Sequence, residues 1–171
     1  LLERRGDRSA IVVDEAYIEF ADVPSAVELL VRYPNLVVLR TLSKALAFAG
    51  ARCGAVMGPV EVIRILNAIQ APYAMSTPVV ECVEDALQSA ALDEASGRVA
   101  EVVAERERLM AGMSSFAFVD SAWPSAANFF LIRVADSEAV IQDARNRGIL
   151  LRDFGGSLPG CIRITVGSRS E

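Results

Sequence analysis

Two apolar runs punctuate the first third of the chain. Ala10-Ile11-Val12-Val13 stops at Asp14-Glu15-Ala16-Tyr17, and Leu36-Val37-Val38-Leu39 stops at Arg40-Thr41. Neither alternates with polar residues, so both read as strands of a parallel sheet covered on both faces. Between them, Pro24-Ser25 opens a stretch to Tyr33 in which Val27, Leu30 and Val31 keep helical spacing, and Pro34-Asn35 marks the turn that follows. Residues 53–57 predict a third strand, and Gly58-Pro59 then leads into a helix over 60–69. Strand, helix, strand, loop, strand, helix is an α/β order. Ligands of such sheets bind beyond the carboxyl ends of the strands, where Asp14 and residues 41–44 fall.

Ala71-Pro72-Tyr73 breaks this pattern and Ser76-Thr77-Pro78 restarts it, with Thr77 suited to cap a helix and Pro78 to its first turn. That helix is expected to reach about residue 91, and a longer one to cover 93–113. In the longer helix Glu94, Arg98, Glu101, Glu105, Arg106, Glu107 and Arg108 interleave with Val99, Val102, Val103, Leu109 and Met110, which reads as a solvated face beside an apolar one. Beyond Gly112 the chain turns to short strands (116–119, 128–134, 149–152, 161–166) and one helix (137–147), a small α+β domain. The expected division is therefore 1–92 and 93–171, with the long helix as the link.

Composition narrows the function classes. With 171 residues, 53% of them hydrophobic, the chain can build one good core or two modest ones. A net charge of −5 argues against a nucleic-acid partner. The absence of histidine removes Ser-His-Asp triads, Cys-His pairs within the chain and most zinc sites, so no metal is expected. Cys53, Cys82 and Cys161 are widely spaced and odd in number, which suits a reducing cytoplasm better than a disulfide framework. Arg52 interrupts the longest apolar candidate for a membrane span, short of the roughly 20 residues required. Glu3, Arg4, Arg5, Asp7 and Arg8 precede no signal-type cleavage site, and the chain starts at Leu1, so a piece of a longer protein is expected.

Lys44 stands out among the polar residues. It follows a buried-type strand and is itself followed by Ala45, Leu46, Ala47, Phe48 and Ala49, apolar surroundings that with Arg52 would favour a neutral, nucleophilic amine. Asp14 either caps a turn or faces a pyridine nitrogen, keeping it protonated so that the ring becomes an electron sink. Tyr17 is either a half-buried core residue or a donor to a phenolate oxygen. Thr41, Ser43 and Arg52 could form a phosphate cradle of two hydroxyls and one cation. Gly50 and Gly54 either admit a ligand close to the backbone or bend a strand.

Together these residues resemble the aspartate-aminotransferase-like, fold type I pyridoxal-phosphate enzymes, and within them the histidinol-phosphate aminotransferases. The resemblance is carried by Val13-Asp14-Glu15-Ala16-Tyr17-Ile18-Glu19-Phe20, Arg40-Thr41-Leu42-Ser43-Lys44-Ala45, Ala49-Gly50-Ala51-Arg52-Cys53-Gly54, and Ala71-Pro72-Tyr73 with Ser76-Thr77-Pro78. It continues through Gly148-Ile149-Leu150-Leu151-Arg152-Asp153 and Cys161-Ile162-Arg163-Ile164-Thr165-Val166-Gly167. It implies a fold of the α/β class: the C-terminal part of a large domain with a mainly parallel sheet and helices, plus a small α+β domain.

By this resemblance Lys44 would form the imine with pyridoxal 5'-phosphate, Asp14 would pair with the ring nitrogen and Tyr17 with the ring oxygen. Ser43 and Arg52, with Thr41 nearby, would hold the phosphate. Arg163 and Arg152 would take the substrate anion, and Asn128 would sit near the substrate. The implied reaction is ping-pong amino transfer between L-histidinol phosphate and 2-oxoglutarate in histidine biosynthesis, by a cytoplasmic homodimer. The partners are a small-molecule amino donor and a 2-oxo acid, with no nucleic acid and no membrane. An aromatic aminotransferase, a phosphothreonine decarboxylase-like lyase of the same fold, and an inactive folded or dimerising unit are the alternatives. The resemblance also implies that the amino-terminal half of a typical member is missing, and that this fragment binds the cofactor poorly by itself.

Overall fold

The computed structural model describes residues 1–5, 9–113 and 115–170, so Asp7 and Arg8 of the charged leading segment lie outside the described residues. The chain divides into two compact units, Leu1–Ser96 and Gly97–Glu171.

The first unit opens with a short helix, α1 (Leu2–Arg5), whose Glu3 accepts hydrogen bonds from Arg32 and Tyr33. Its sheet has three strands in the order β1 (Ile11–Asp14), β2 (Leu36–Thr41), β3 (Gly54–Met57). The central strand makes the core: Leu36, Val37 and Val38 are all buried, and burying each contributes about 1.5–3 kcal/mol. β1 and β2 are parallel, with Asp14 level with Leu39. β3 is antiparallel to β2, with Gly54 level with Thr41. A parallel neighbour needs a crossover of a dozen or more residues, usually helical, and only a 3-10 turn (Ala49–Ala51) occurs between β2 and β3. This reversal has a positional consequence. The start of β3, and Arg52 just before it, arrive at the same sheet edge as the ends of β1 and β2.

Several expectations for this unit require correction. β1 is not covered on both faces: Val12 is 56% exposed, because β1 is an edge strand of this sheet. The helix expected from Ser25 to Tyr33 is only a 3-10 turn, Ala26–Leu29, and Val31 is fully in solvent. Between Pro24 and Pro34 there is too little chain to offset the cost of nucleating an α-helix, and the Ser25 hydroxyl is engaged by Glu15 and the Val27 N–H. The remaining helices are α2 (Val60–Ile69), α3 (Thr77–Ala86) and α4 (Ser89–Met113). Ser76, not Thr77, occupies the cap position of α3, without a side-chain capping bond. α3 stops five residues short of its expected end at 91, and α4 starts four residues early.

The second unit takes the later part of α4 and a four-stranded antiparallel sheet in the order β4-β5-β7-β6, where β4 is Val119–Trp123, β5 Phe129–Val134, β6 Arg152–Asp153 and β7 Cys161–Thr165. β5 alternates cleanly. Phe130, Ile132 and Val134 point into a core shared with Ile162 and Val166, against which Val102, Leu109, Met110 and Met113 of α4 pack. Val140 and Ile141 of α5 (Ser137–Asn146) complete the cover. The first strand was expected at 116–119; it begins only at Val119, because Phe116 and Phe118 fall in the turn before it. The charge run of α4 is not wholly solvated either, since Glu105 and Arg106 are buried.

Candidate functional site

At the end of β1 the Asp14 carboxylate accepts the Ala16 N–H at 3.0 Å, which bends the chain into the turn carrying Tyr17. Asp14 is exposed in this chain and caps this turn. The buried acid is its neighbour. Glu15 is 5% exposed and accepts hydrogen bonds from Ser25 Oγ at 2.8 Å, Arg40 Nε at 3.1 Å and the Ala26 N–H. Burial alone would push its carboxyl up. The bonds from Ser25, Ala26 and Arg40, with the Arg40 charge, overcome this and hold it below the usual carboxylate range.

At the end of β2, Thr41 and Ser43 share a hydroxyl–hydroxyl bond of 2.9 Å, and the Ser43 N–H donates to Thr41 Oγ1 at 3.1 Å. Lys44 comes next. Its Nζ lies 5.3 Å from the centre of the Tyr17 ring, so the structure brings together residues 27 positions apart. A cation over an exposed aromatic face gains about 0.5–1 kcal/mol, enough to bias where the amine rests. Lys44 is exposed, which corrects the expectation of a dry amine.

The loop returning to β3 is tightly closed. Leu42 N–H donates to Cys53 O and Phe48 N–H to Leu42 O. Ala47 (φ 59°) and Arg52 (φ 52°) both adopt the left-handed region without being glycine, a strain of roughly 1–3 kcal/mol each. Arg52 Nη1 donates to Ala49 O at 3.0 Å and its side chain is exposed. Gly54 serves the sheet: a Cβ there would lie 2.7 Å from the Arg40 carbonyl. Gly50 has open space around it. Asp14, Tyr17, Thr41, Ser43, Lys44 and Arg52 thus gather at one edge of the sheet. A separate depression of about 330 Å³, lined by Gly58, Val60, Ile63, Arg64 and Asn67, contains none of them.

The second unit places Arg152 opposite Arg163 across β6 and β7. Arg163 stacks over Phe129 at 5.0 Å, and its Nε is buried without a hydrogen-bond partner among the described residues. Asn128 is half-buried just ahead of β5, and its carbonyl accepts the Val166 N–H at 2.8 Å. Among the described residues no group of three or more acidic, cysteine or histidine side chains could hold a metal, and no helix is long and apolar enough to cross a membrane.

Sequence reasoning overlooked Glu15, Arg40 and Arg106. A signal existed for the first. Side chains alternate at a strand end, so a carboxylate next to an exposed Asp14 points the other way.

Residues 5–171 match the family described as aminotransferase class I and II, and the chain belongs to that family. A histidinol-phosphate aminotransferase of Xylella fastidiosa is 46% identical over the whole chain, which covers 47% of that relative. Among solved structures, the histidinol-phosphate aminotransferase of Sinorhizobium meliloti, in complex with pyridoxal-5'-phosphate, superposes with a TM-score of 0.77 at 27% identity, over 94% of this chain and 45% of that one. A decarboxylase from Sulfurospirillum multivorans has a TM-score of 0.87 at 24% identity over 99% of this chain and 46% of its own, a likeness of fold. The chain thus spans about half the length of the curated relatives it matches.

Proposed function

We propose that this chain carries the lysine-bearing half of a histidinol-phosphate transaminase, which exchanges an amino group between L-histidinol phosphate and 2-oxoglutarate with pyridoxal 5'-phosphate as cofactor. The observation that carries this reading is the gathering of Asp14, Tyr17, Thr41, Ser43, Lys44 and Arg52 at one sheet edge, in a chain 46% identical to a relative of that name. The donor set fits the cofactor: an amine for its aldehyde, a carboxylate for its ring nitrogen, and two hydroxyls with a guanidinium for its phosphate.

When bound, the cofactor supplies the electron sink for a carbanion at the substrate carbon. The chain supplies the rest. Lys44 would hold the aldehyde through Nζ, and its amine, when free, would move the proton at the substrate carbon as general base and then general acid. Asp14 holds a proton on the ring nitrogen, while Tyr17 Oη hydrogen-bonds the ring oxygen. Ser43 Oγ, Thr41 Oγ1 and Arg52 anchor the phosphate. Arg163, with Arg152, takes the anionic end of either substrate, phosphate or carboxylate, which lets two different molecules use one site in turn. Asn128 borders the substrate. We further place the enzyme in the cytoplasm as a homodimer; the three free cysteines support the reducing compartment.

The test adds pyridoxal 5'-phosphate to the intact protein, follows the imine absorption band, traps it with borohydride and repeats this with Lys44→Ala. The band should vanish in the variant, and glutamate should convert imine to amine in the wild type. A band that survives Lys44→Ala overturns the assignment of Lys44. Carbon dioxide release without amine formation points to a lyase instead.

A further inference from the structure

We propose that Glu15 and Arg40 are a positioning pair that sets the turn bearing Asp14 and Tyr17 against the loop bearing Thr41, Ser43 and Lys44. This rests on the reading above, in which those two segments hold the cofactor.

The geometry begins in the ladder. β1 and β2 are parallel with Asp14 level with Leu39, and the Glu15 N–H continues the pairing one step beyond the strand by donating to Leu39 O at 2.8 Å. The next level therefore sets Glu15 beside Arg40, and there Arg40 Nε meets Glu15 Oε2 at 3.1 Å. Side chains alternate along strands, so fastening these two on one face presents Asp14 and Thr41 on the other. Each partner is the chain neighbour of a candidate cofactor residue: Glu15 follows Asp14, and Arg40 precedes Thr41.

The same carboxylate also accepts from Ser25 Oγ and the Ala26 N–H, so three donors from two separate segments converge on one 5%-exposed group. An ion pair is a poor way to gain stability at such a place, since apolar side chains of similar volume do as well or better. It is a good way to fix direction, because the guanidinium plane and the carboxylate admit few mutual orientations. Here β1 has ended and β2 is one residue from its end, so beyond this level the β1–β2 ladder no longer constrains the two segments. A directional tie at this level is what a site built on two loop starts requires.

The experiment compares Glu15→Gln, Arg40→Met, the double variant, Arg40→Lys and the milder Ser25→Ala in the intact protein, with pyridoxal 5'-phosphate as the probe. Three readouts are taken: cofactor dissociation constant, borohydride-trapped imine, and amide hydrogen exchange over 14–18 and 41–44 without cofactor. Each of the first two substitutions should weaken cofactor retention roughly tenfold, and the double variant should be no worse than either, as expected of one coupled unit. Exchange should rise in both segments together, Arg40→Lys should recover part of the loss, and Ser25→Ala should move the same way by less. A lowered melting temperature with unchanged cofactor retention and unchanged exchange over 41–44 would reduce the pair to a structural contact and overturn the proposal. If the wild type forms no trappable imine, the functional reading fails, and the exchange data alone decide the positioning claim.

Discussion

Arg152 and Arg163 stand directly opposite each other on β6 and β7, two cationic side chains on one face of the small sheet. Like charges in this relation destabilise a sheet. The core residues Phe130, Ile132 and Ile162 occupy the other face, so neither arginine contributes to the apolar packing. Arg163 Nε is moreover buried with no hydrogen-bond partner among the described residues, against the ring of Phe129. An anion would relieve both the repulsion and the unmet donor.

If the proposed transaminase reading holds, Arg163→Met should raise KM for the phosphate-bearing amine and for the 2-oxo acid alike, by about 10–100-fold, the equivalent of a lost charge-assisted hydrogen bond. Melting temperature should hold steady or increase, since the repulsion disappears. Steady-state kinetics with both substrates, beside a thermal melt, checks this. KM values unchanged for both substrates would remove Arg163 from the substrate site.

Gly54 allows a different kind of test. It lies level with Thr41, and an added methyl would sit 2.7 Å from the Arg40 carbonyl, a backbone atom that cannot swing aside. Gly54→Ala should cost roughly 1–3 kcal/mol of stability by forcing β3 from β2. Gly50→Ala, with open space around the glycine, should cost far less. Paired urea titrations measure the difference, and equal losses would show that β3 adapts freely.

The pH dependence of folding follows from Glu15. Its carboxyl is held below its ordinary value of about 4.3 in the folded chain, so on acidification the unfolded chain takes up this proton first. The stabilisation is fully present above the unfolded value and is lost as pH falls through the folded one. Urea midpoints between about pH 6 and about pH 3 should drop more steeply for the wild type than for Glu15→Gln, which has no proton to gain. Parallel curves would mean that the Ser25–Arg40–Glu15 network does not favour the ionised form.

What could be read in the sequence was whatever its own period encodes. The run 36–39 is apolar because β2 is the covered central strand, and β5 alternates because one of its faces is core. The ends of those strands located Asp14 and Lys44, and order along the chain suggested the rest of the edge. Strand direction was not encoded in the same way: nothing local to 53–57 says antiparallel, and only the missing crossover does. Burial of charge was equally hidden. Glu15 and Arg106 look like solvated residues until tertiary partners distant in sequence appear, and Lys44 looked enclosed because its neighbours are apolar, although neighbours in sequence need not face one another.

Arg106 provides the sharpest case of this hidden burial. It sits within a charged stretch of α4 yet is only 6% exposed, and its Nη1 donates to the Ala127 carbonyl at 2.9 Å. Ala127 is buried too and lies two residues before the start of β5 at Phe129. The other side of the guanidinium meets Glu107, whose side chain is 62% exposed. The two contacts should therefore differ in weight. Arg106→Met leaves the Ala127 carbonyl buried without this donor and should destabilise the protein by about 1–3 kcal/mol. Glu107→Gln removes a largely solvated charge and should cost about 0–1 kcal/mol. Denaturant midpoints at low and high salt separate them, because screening weakens the exposed pair and leaves the buried bond almost untouched. An Arg106→Met variant as stable as Glu107→Gln would show that the loop before β5 finds another donor, and that α4 does not fix the start of that strand.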